Sequence, residues 1–152
     1  MQQKISKDTP LAEITLRRYE KPYNLDQRDL VKKVCLSLGL LQPGDSRDVI
    51  VDIFLVLLNA RAEKKVLDSK TIEELAKKER EKANVPILGV SAPNVRRQLK
   101  RLKDLFLIES FENGYRVIEF ERLSVIFDEK IKNFYLKNIV SRVKDYLDEI
   151  DK

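Results

Sequence analysis

Apolar residues recur three and four positions apart through the first part of the chain, which is the period of a helix that buries one face. A Thr-Pro pair, a common helix start, predicts a first helix over residues 9–21. A second helix is expected to begin at Asn24, with Gln27 as its capping partner, and to stop at Gly39. Residues 1–45 are therefore predicted to form a two-helix extension.

The chain then becomes almost continuously apolar over residues 49–58, interrupted only by Asp52. Such a run fits a buried strand or a buried helix, and the sequence that follows it favours a helix. We expect this helix to be capped by Asp45 or Ser46, to run to about Glu63 and to lie at the centre of the core.

Two amphipathic helices are predicted next. Thr71 and Glu74 have the spacing of a capping box and predict a helix over residues 72–83. Ser91, followed by a proline in the first turn, is the expected cap of the other helix, over residues 91–104. The first helix is expected to bury Ile72, Leu75 and Ala76 and to expose Lys77, Lys78 and Arg80, and the second to bury Val95, Leu99 and Leu102.

Two β-prone segments, residues 107–112 and 115–120, flank Asn113-Gly114. Asn-Gly between such segments predicts a tight hairpin, because both central positions of the turn need positive φ. The chain is therefore expected to be mainly α with a small β-hairpin.

Residues from about Leu123 to Ile150 contain no Gly or Pro and predict one long helix. One interpretation is that it forms a homodimer, and the other is that it packs within an intramolecular bundle. Its apolar residues divide into an upstream stripe suited to packing on the N-terminal helices (Phe127, Ile131, Phe134, Tyr135) and a two-heptad seam (Leu136, Ile139, Val143, Tyr146, Ile150).

Composition excludes several kinds of chemistry. The chain has no His and a single Cys, so His-based catalytic triads and zinc sites of Cys and His are excluded. Its four glycines are dispersed and form no phosphate-binding loop. We expect no enzyme activity, no cofactor and no metal, and we expect Cys35 to be a buried apolar residue. The start of the chain lacks the features of a signal peptide, and no apolar run is long enough to cross a bilayer, so a cytoplasmic protein with no membrane partner is expected.

The net charge of +5 is concentrated in one stretch. Residues 70–103 carry ten basic and four acidic side chains, a net of +6, whereas residues 104–152 carry eight basic and eleven acidic side chains, a net of −3. A local basic excess of this kind is typical of a surface that binds a polyanion, and it also occurs on ordinary solvated surfaces. The high content of Lys, Arg and Glu is typical of proteins from hot environments and of lysine-rich mesophiles.

The residues over 71–76, 94–102 and 107–108 (TIEELA, NVRRQLKRL and LI) resemble winged helix-turn-helix regulators of the MarR/ArsR type. The resemblance implies a winged helix-turn-helix over residues 46–121, preceded by the helical extension and followed by a C-terminal dimerisation helix over residues 122–152. It also implies that the helix over residues 91–104 enters the major groove of double-stranded DNA.

The resemblance further implies which side chains would contact DNA. Arg suits guanine, and Asn and Gln suit adenine, so exposed side chains of these types on this helix would read base edges, whereas its remaining cations and its capping serine would contact phosphates. The expected base readers are Asn94, Arg97, Gln98 and Arg101, and the expected phosphate contacts are Ser91, Arg96, Lys100 and Lys103.

The chain departs from the pattern of these regulators in three places. Phe106 replaces the usual glycine after the recognition helix, which predicts a different helix end or a tilted wing, because Phe resists the left-handed conformation. The connection over residues 84–90 is longer than usual, and Glu109, Glu112 and Glu119 make the hairpin acidic. The expected function is a dimeric transcriptional regulator with an unknown effector, and the alternative is a winged-helix adaptor that binds proteins.

Overall fold

The computed structural model describes residues 8–152, which are mainly helical with one two-stranded antiparallel sheet. This confirms the predicted class. The elements are α1 (Gln27–Ser37), α2 (Val49–Ala62), α3 (Ser69–Lys82), α4 (Ala92–Asp104), β1 (Ile108–Phe111), β2 (Gly114–Val117), a 3-10 turn (Ile118–Phe120), α5 (Leu123–Ile126), a π-helical segment (Phe127–Leu136) and α6 (Lys137–Ile150).

Helix α2 lies at the centre, as its apolar run predicts, and packs against α1, α3, α4 and β2. Eleven of its fourteen residues are buried, among them Phe54 and Leu57 completely. The predicted caps are wrong, because the N-cap is Asp48, whose carboxylate pairs with Arg80 and makes no capping hydrogen bond. Among residues 8–152, no helix is both long and apolar enough to cross a bilayer.

The helix predicted over residues 9–21 is absent, and the part of the N-terminal extension before α1 is irregular. This segment instead lies across the turn that follows α1. The Arg17 amide donates to the Ser37 carbonyl oxygen at 2.8 Å, and its guanidinium donates to the carbonyl oxygens of Leu36 and Leu41 at 2.8 and 3.2 Å. Burial alternates between neighbours from Arg17 to Glu20, which is the period of extended backbone. Residues 1–7 of the predicted extension lie outside the described part of the chain.

The caps of α1 and α3 also differ from the prediction. Asp26 caps α1 by accepting a hydrogen bond from the Asp29 amide, and Asn24 lies outside the helix with a φ of 56°. Asp68 caps α3 by accepting from the Thr71 amide at 2.7 Å, so Thr71 lies inside the first turn and the predicted capping box does not form. In both places an Asp two or three residues from the expected cap provides the cap. Asp caps a helix as well as Asn does and better than Thr does.

The hairpin forms with its turn shifted by one residue from the prediction. Phe111 pairs with Gly114, and the two central turn residues are Glu112 and Asn113, both with positive φ (46° and 61°). Gly114 is needed for a different reason: a Cβ there would lie 2.7 Å from the Leu67 carbonyl oxygen. The segment before α3 approaches the hairpin this closely because Leu67 forms an antiparallel bridge with Tyr115.

Phe106 adopts the left-handed conformation after α4 (φ 65°), so the expectation of a different helix end is wrong. The amide of Phe106 donates to the carbonyl oxygen of Lys103, and that of Leu107 donates to the carbonyl oxygen of Leu102, which are the two hydrogen bonds of a Schellman motif. The Phe106 ring lies edge-on against Phe134 and Tyr135, with centroids 6.4 and 5.5 Å away. This aromatic packing offsets the backbone strain.

The C-terminal helix is continuous from α5 to α6, as predicted, but its middle ten residues are π-helical. Ile126 and Ile131 lie five residues apart and are both buried, which is the spacing that a π-helix brings to one side. Phe127 and Tyr135 are partly buried beside them, whereas Phe134 is 54% exposed. No residue of α6 is buried.

Candidate nucleic-acid interface

Helix α4 is held on one side by the core and faces outward on the other. Ser91 caps it, as predicted, by accepting a hydrogen bond from the Asn94 amide at 3.4 Å. Val95, Leu99 and Leu102 are completely or almost completely buried, and α4 packs against α2 and α3. The predicted buried stripe is therefore confirmed, and the remaining positions of the helix face solvent or the edges of the core.

Four of the predicted basic site residues are exposed on this outer side: Arg96, Arg97, Lys100 and Lys103. Lys100 contacts Asp104, the only acidic residue of α4, at 2.8 Å, and Lys103 donates to the Ser110 hydroxyl of the hairpin at 3.0 Å. Ion pairs of exposed side chains are weak, so Lys100 is free to bind another anion.

Asn94 organises the start of this surface. Its Nδ2 donates to the Gly89 carbonyl oxygen at 2.7 Å, which fixes the orientation of the amide. Its Oδ1 accepts hydrogen bonds from Arg97 Nη1 at 3.1 Å and from Gln98 Nε2 at 3.2 Å. All four predicted base readers are thus connected, since Arg101 donates to Gln98, and the guanidinium of Arg97 extends from this network into solvent.

Arg101, the fourth predicted base reader, has a different environment. It is partly buried, and its guanidinium donates to the Leu40 carbonyl oxygen at 2.6 Å and to Gln98 Oε1 at 2.8 Å. These contacts join α4 to the turn after α1. Arg101 therefore positions α4 and Gln98, in contrast to the prediction that it faces outward.

A cleft of about 700 Å³ lies beside the Asn94 network. Its walls come from the segment that precedes α2, from the loop between α3 and α4, and from the face of α4 that carries Arg97. Lys32 and Arg47 also line it, and their side chains are 41% and 90% exposed. Cations therefore continue from α4 into this cleft, where Asp45 and Asp48 partly balance their charge.

Arg80 forms the floor of the cleft and is 2% exposed, although the sequence pattern predicted an exposed side chain. Its Nη1 contacts Asp52 at 2.7 Å and Asp48 at 3.0 Å, and its Nε donates to the Pro86 carbonyl oxygen at 2.7 Å. Arg28 completes the cluster with contacts to both carboxylates. The signal was Asp52, because a charge inside an apolar helix needs a buried partner of opposite sign.

Burial and ion pairing act in opposite directions on Asp48. Burial favours the neutral acid, but the hydrogen bonds and charges of Arg80 and Arg28 outweigh it and hold the pKa of Asp48 below its ordinary value of 3.8. The carboxylate is therefore ionised at neutral pH, and its charge is balanced by these two guanidinium groups. This network joins α1, α2, α3 and, through Pro86, the loop that leads into α4.

The hairpin offers no exposed cation. Arg116 pairs with Glu109 at 2.8 Å, and its guanidinium lies over the rings of Phe111 and Phe120, 3.7 and 4.9 Å from their centroids. Glu112, at the tip, is exposed. The hairpin therefore presents an acidic surface next to the basic one.

Cys35 is completely buried, as predicted, and burial raises the pKa of its thiol to about 12. It is therefore protonated at neutral pH and packs as an apolar residue.

Comparison of the chain with protein-family models, with curated proteins and with solved structures gave no match. The assignment of a function to this surface therefore depends on its geometry and charge.

Proposed function

We propose that this chain binds double-stranded DNA sequence-specifically through α4 and that residues 46–121 are a winged helix-turn-helix. The order of elements supports the fold assignment: helix α2, the bridge at Leu67, helices α3 and α4, and then the hairpin. In this arrangement α3 supports, α4 enters the major groove, and the hairpin is the wing.

The charge of α4 carries the proposal. Its outer face presents four exposed cations and only one acidic residue, Asp104 at the far end. A helix that is anchored by its buried stripe and by a cap at its start can hold these side chains at a fixed spacing against a groove. Neutralising several phosphates releases their counterions, which provides much of the affinity for DNA.

Individual side chains have different proposed roles. Arg97, Gln98 and Asn94 read base edges, since they form a connected set near the start of the helix, where recognition helices contact bases. Arg96, Lys100, Lys103 and Ser91 contact phosphates. Arg101 keeps α4 in place through Leu40, and the acidic hairpin contributes little to DNA affinity.

The protein is further proposed to be a homodimer that acts as a transcriptional regulator, so that two copies of α4 bind the two halves of an inverted repeat. The exposed apolar face of α6 supports self-association.

Selection of bound fragments from random double-stranded DNA tests this function directly. We expect recovery of a sequence motif and an affinity that falls steeply with salt concentration. Replacing Arg97 with Ala should weaken binding by about 1–3 kcal/mol and relax the preference at one base position. Replacing both Arg96 and Lys100 with Ala should reduce the slope of log affinity against log salt concentration by about one unit for each residue. The selected sequence motif should stay the same.

The matched control is Lys137→Ala with Lys144→Ala, which removes two exposed cations of α6. This variant has the same change of net charge as the Arg96 and Lys100 pair, and its DNA affinity should change much less. Equal losses of DNA affinity in the two double variants would indicate nonspecific attraction. The absence of binding to any duplex at low salt would reject the proposal.

The acidic hairpin favours a second candidate function, a winged-helix adaptor that binds another protein. Its one arginine is held between two aromatic rings, so the tip carries negative charge that phosphates would repel. Co-purification of a protein partner, lost in Glu112→Lys, together with the absence of duplex binding, would select this alternative.

A further inference from the structure

Helix α6 has one uncovered apolar face. Five of its apolar side chains are 54% to 77% exposed: Val140, Val143, Tyr146, Leu147 and Ile150. Within residues 8–152, the ion pairs of α6 are local: Arg142 contacts Asp145 and Glu149 contacts Lys152. A contiguous apolar face on a charged helix is typical of a surface that another chain covers.

We propose that a second copy of this chain covers the face and that the two α6 helices pack antiparallel. The two-fold axis that relates them crosses α6 at the level between Lys144 and Asp145. This inference rests on the dimer of the proposed function and supplies its surface and orientation. It does not depend on DNA binding.

The apolar spacing fits this alignment. Ile139, Val143, Tyr146 and Ile150 follow one another at spacings of four, three and four, which is the a/d pattern of paired helices. When Val143 lies opposite Tyr146 of the second copy, Ile139 lies opposite Ile150. Each contact then occurs twice, and the seam closes on itself as an isologous interface requires.

Charge complementarity selects the antiparallel direction. Arg142 and Glu149 lie on one edge of the seam, and Val140 and Leu147 lie on the other. In the alignment above, Arg142 lies opposite Glu149 of the second copy, and Val140 lies opposite Leu147. The side chains of Arg142 and Glu149 are 67% and 68% exposed, so both can turn from their local partners to each other.

A parallel pair is less favourable. It would place Arg142 beside Leu147 of the second copy, so that a charge borders an apolar side chain, and it would stack Tyr146 on its own copy.

The interface is small. A helix of fourteen residues is about 20 Å long, and pairing two of them buries on the order of 1,000 Å², near the lower limit for a specific interface. We therefore expect a reversible dimer with a dissociation constant on the order of micromolar.

Sedimentation equilibrium without DNA tests the charge pairs. Arg142→Glu and Glu149→Arg should each weaken the dimer about tenfold or more, because each creates two like-charge contacts, and the double exchange should restore it to within about threefold. Lys144→Glu, on the opposite face of the same helix, should leave the dimer unchanged. A wild-type chain that stays monomeric at tens of micromolar, or a double exchange that does not restore the dimer, would overturn the proposal.

Disulfide trapping tests the direction. Ile139→Cys combined with Ile150→Cys should crosslink two chains, since these positions lie opposite each other. Ile150→Cys alone should not, because its two copies would be about 16 Å apart along the axis, beyond the reach of a disulfide. Cys35 is completely buried and does not compete. Efficient crosslinking of Ile150→Cys alone would indicate a parallel pair. If the natural chain formed the dimer but did not bind DNA, only the proposed function would be rejected.

Discussion

Asp48 and Asp52 lie at the start of α2 with their charges balanced by Arg80 and Arg28. Taking four ionised groups out of water is costly, and the cost is offset only when each keeps its partners. Arg80 also donates to the Pro86 carbonyl oxygen, so the same side chain fixes the loop before α4. Its removal would therefore affect both the core and the candidate interface.

We expect Arg80→Ala to lower the free energy of unfolding by about 3–5 kcal/mol, because it leaves two buried carboxylates with one cation. Urea unfolding followed by circular dichroism measures this loss. Lys78→Ala, two residues earlier in α3 and exposed, is the control and should leave stability unchanged. If Arg80→Ala lowered the free energy of unfolding as little as Lys78→Ala does, water would reach the carboxylates of Asp48 and Asp52.

The same cluster predicts a dependence on acid. The pKa of Asp48 is lower in the folded chain than the ordinary 3.8, so its contribution to stability is complete above pH 3.8 and declines as the pH falls through the folded pKa. Urea unfolding at a series of pH values below this point should show a steeper loss for the natural chain than for Asp48→Asn. If the free energy of unfolding fell equally with pH in the natural chain and in Asp48→Asn, the lowered pKa of Asp48 would be contradicted.

For single residues, the sequence predicts whether a side chain is exposed or buried better than it predicts which residues that side chain contacts. The exposed cations of α4 and the burial of Cys35 follow from local pattern, and both predictions are confirmed. Arg80 was wrongly placed on the exposed face of its helix, because its partners come from residues 28 and 32 positions away in sequence. Arg101 was misplaced for the same reason, since its acceptor Leu40 lies 61 positions earlier.

Phe106 shows how an element can end against local preference. A non-glycine residue in the left-handed region costs roughly 1–2 kcal/mol, and the rings of Phe134 and Tyr135 supply compensating contacts. Because the α4 end and the start of β1 depend on this turn, Phe106 links the candidate interface to the C-terminal helix.

Two substitutions separate backbone strain from packing. Phe106→Gly loses the aromatic contacts but relieves the strain, whereas Phe106→Ala loses the contacts and keeps the strain. We expect both to destabilise the chain and the Ala variant to be less stable than the Gly variant by about 1 kcal/mol, as measured by urea unfolding. A Gly variant more stable than the natural chain would show that the aromatic packing does not compensate.

Helices α1 to α4 and the hairpin could be predicted because each combines periodic apolar residues with a turn or a cap. The predicted starts of α1, α2 and α3 are wrong by two to three residues, because several residues that can cap a helix lie close together at each start, whereas the predicted start of α4 at Ser91 is confirmed. The helix predicted over residues 9–21 does not form, although its local signals were similar. Its hydrogen bonds go instead to the turn after α1, which no local pattern encodes.

At the scale of the whole molecule, two arginines hold the chain around this turn. Arg17 donates to the carbonyl oxygens of Leu36 and Leu41, and Arg101 donates to that of Leu40 from the other side. The N-terminal segment, α1 and α4 are thereby joined through backbone acceptors, although they are distant in sequence.

We expect Arg17→Ala to release the segment before α1, because it removes the side-chain contacts that hold it. Limited chymotrypsin digestion should then cut near Tyr19 and Tyr23 at least about tenfold faster, while the rest of the chain resists. Arg18→Ala, an exposed neighbour, is the control and should be cut at the natural rate. Equal rates in the two variants would indicate that other contacts hold the segment: Ile14 packs against the core, and the Tyr135 hydroxyl is hydrogen-bonded to the Glu13 backbone.

The π-helical segment makes the direction of α6 tolerant of a change in chain length. A π turn holds about one residue more than an α turn, so deleting one residue between Phe127 and Leu136 would convert one such turn to an α turn. Both kinds of turn complete one full rotation, so everything downstream would keep nearly the same direction about the helix axis. A deletion within the regular turns of α6 has no such compensation and would rotate the apolar residues that follow it by about 100°.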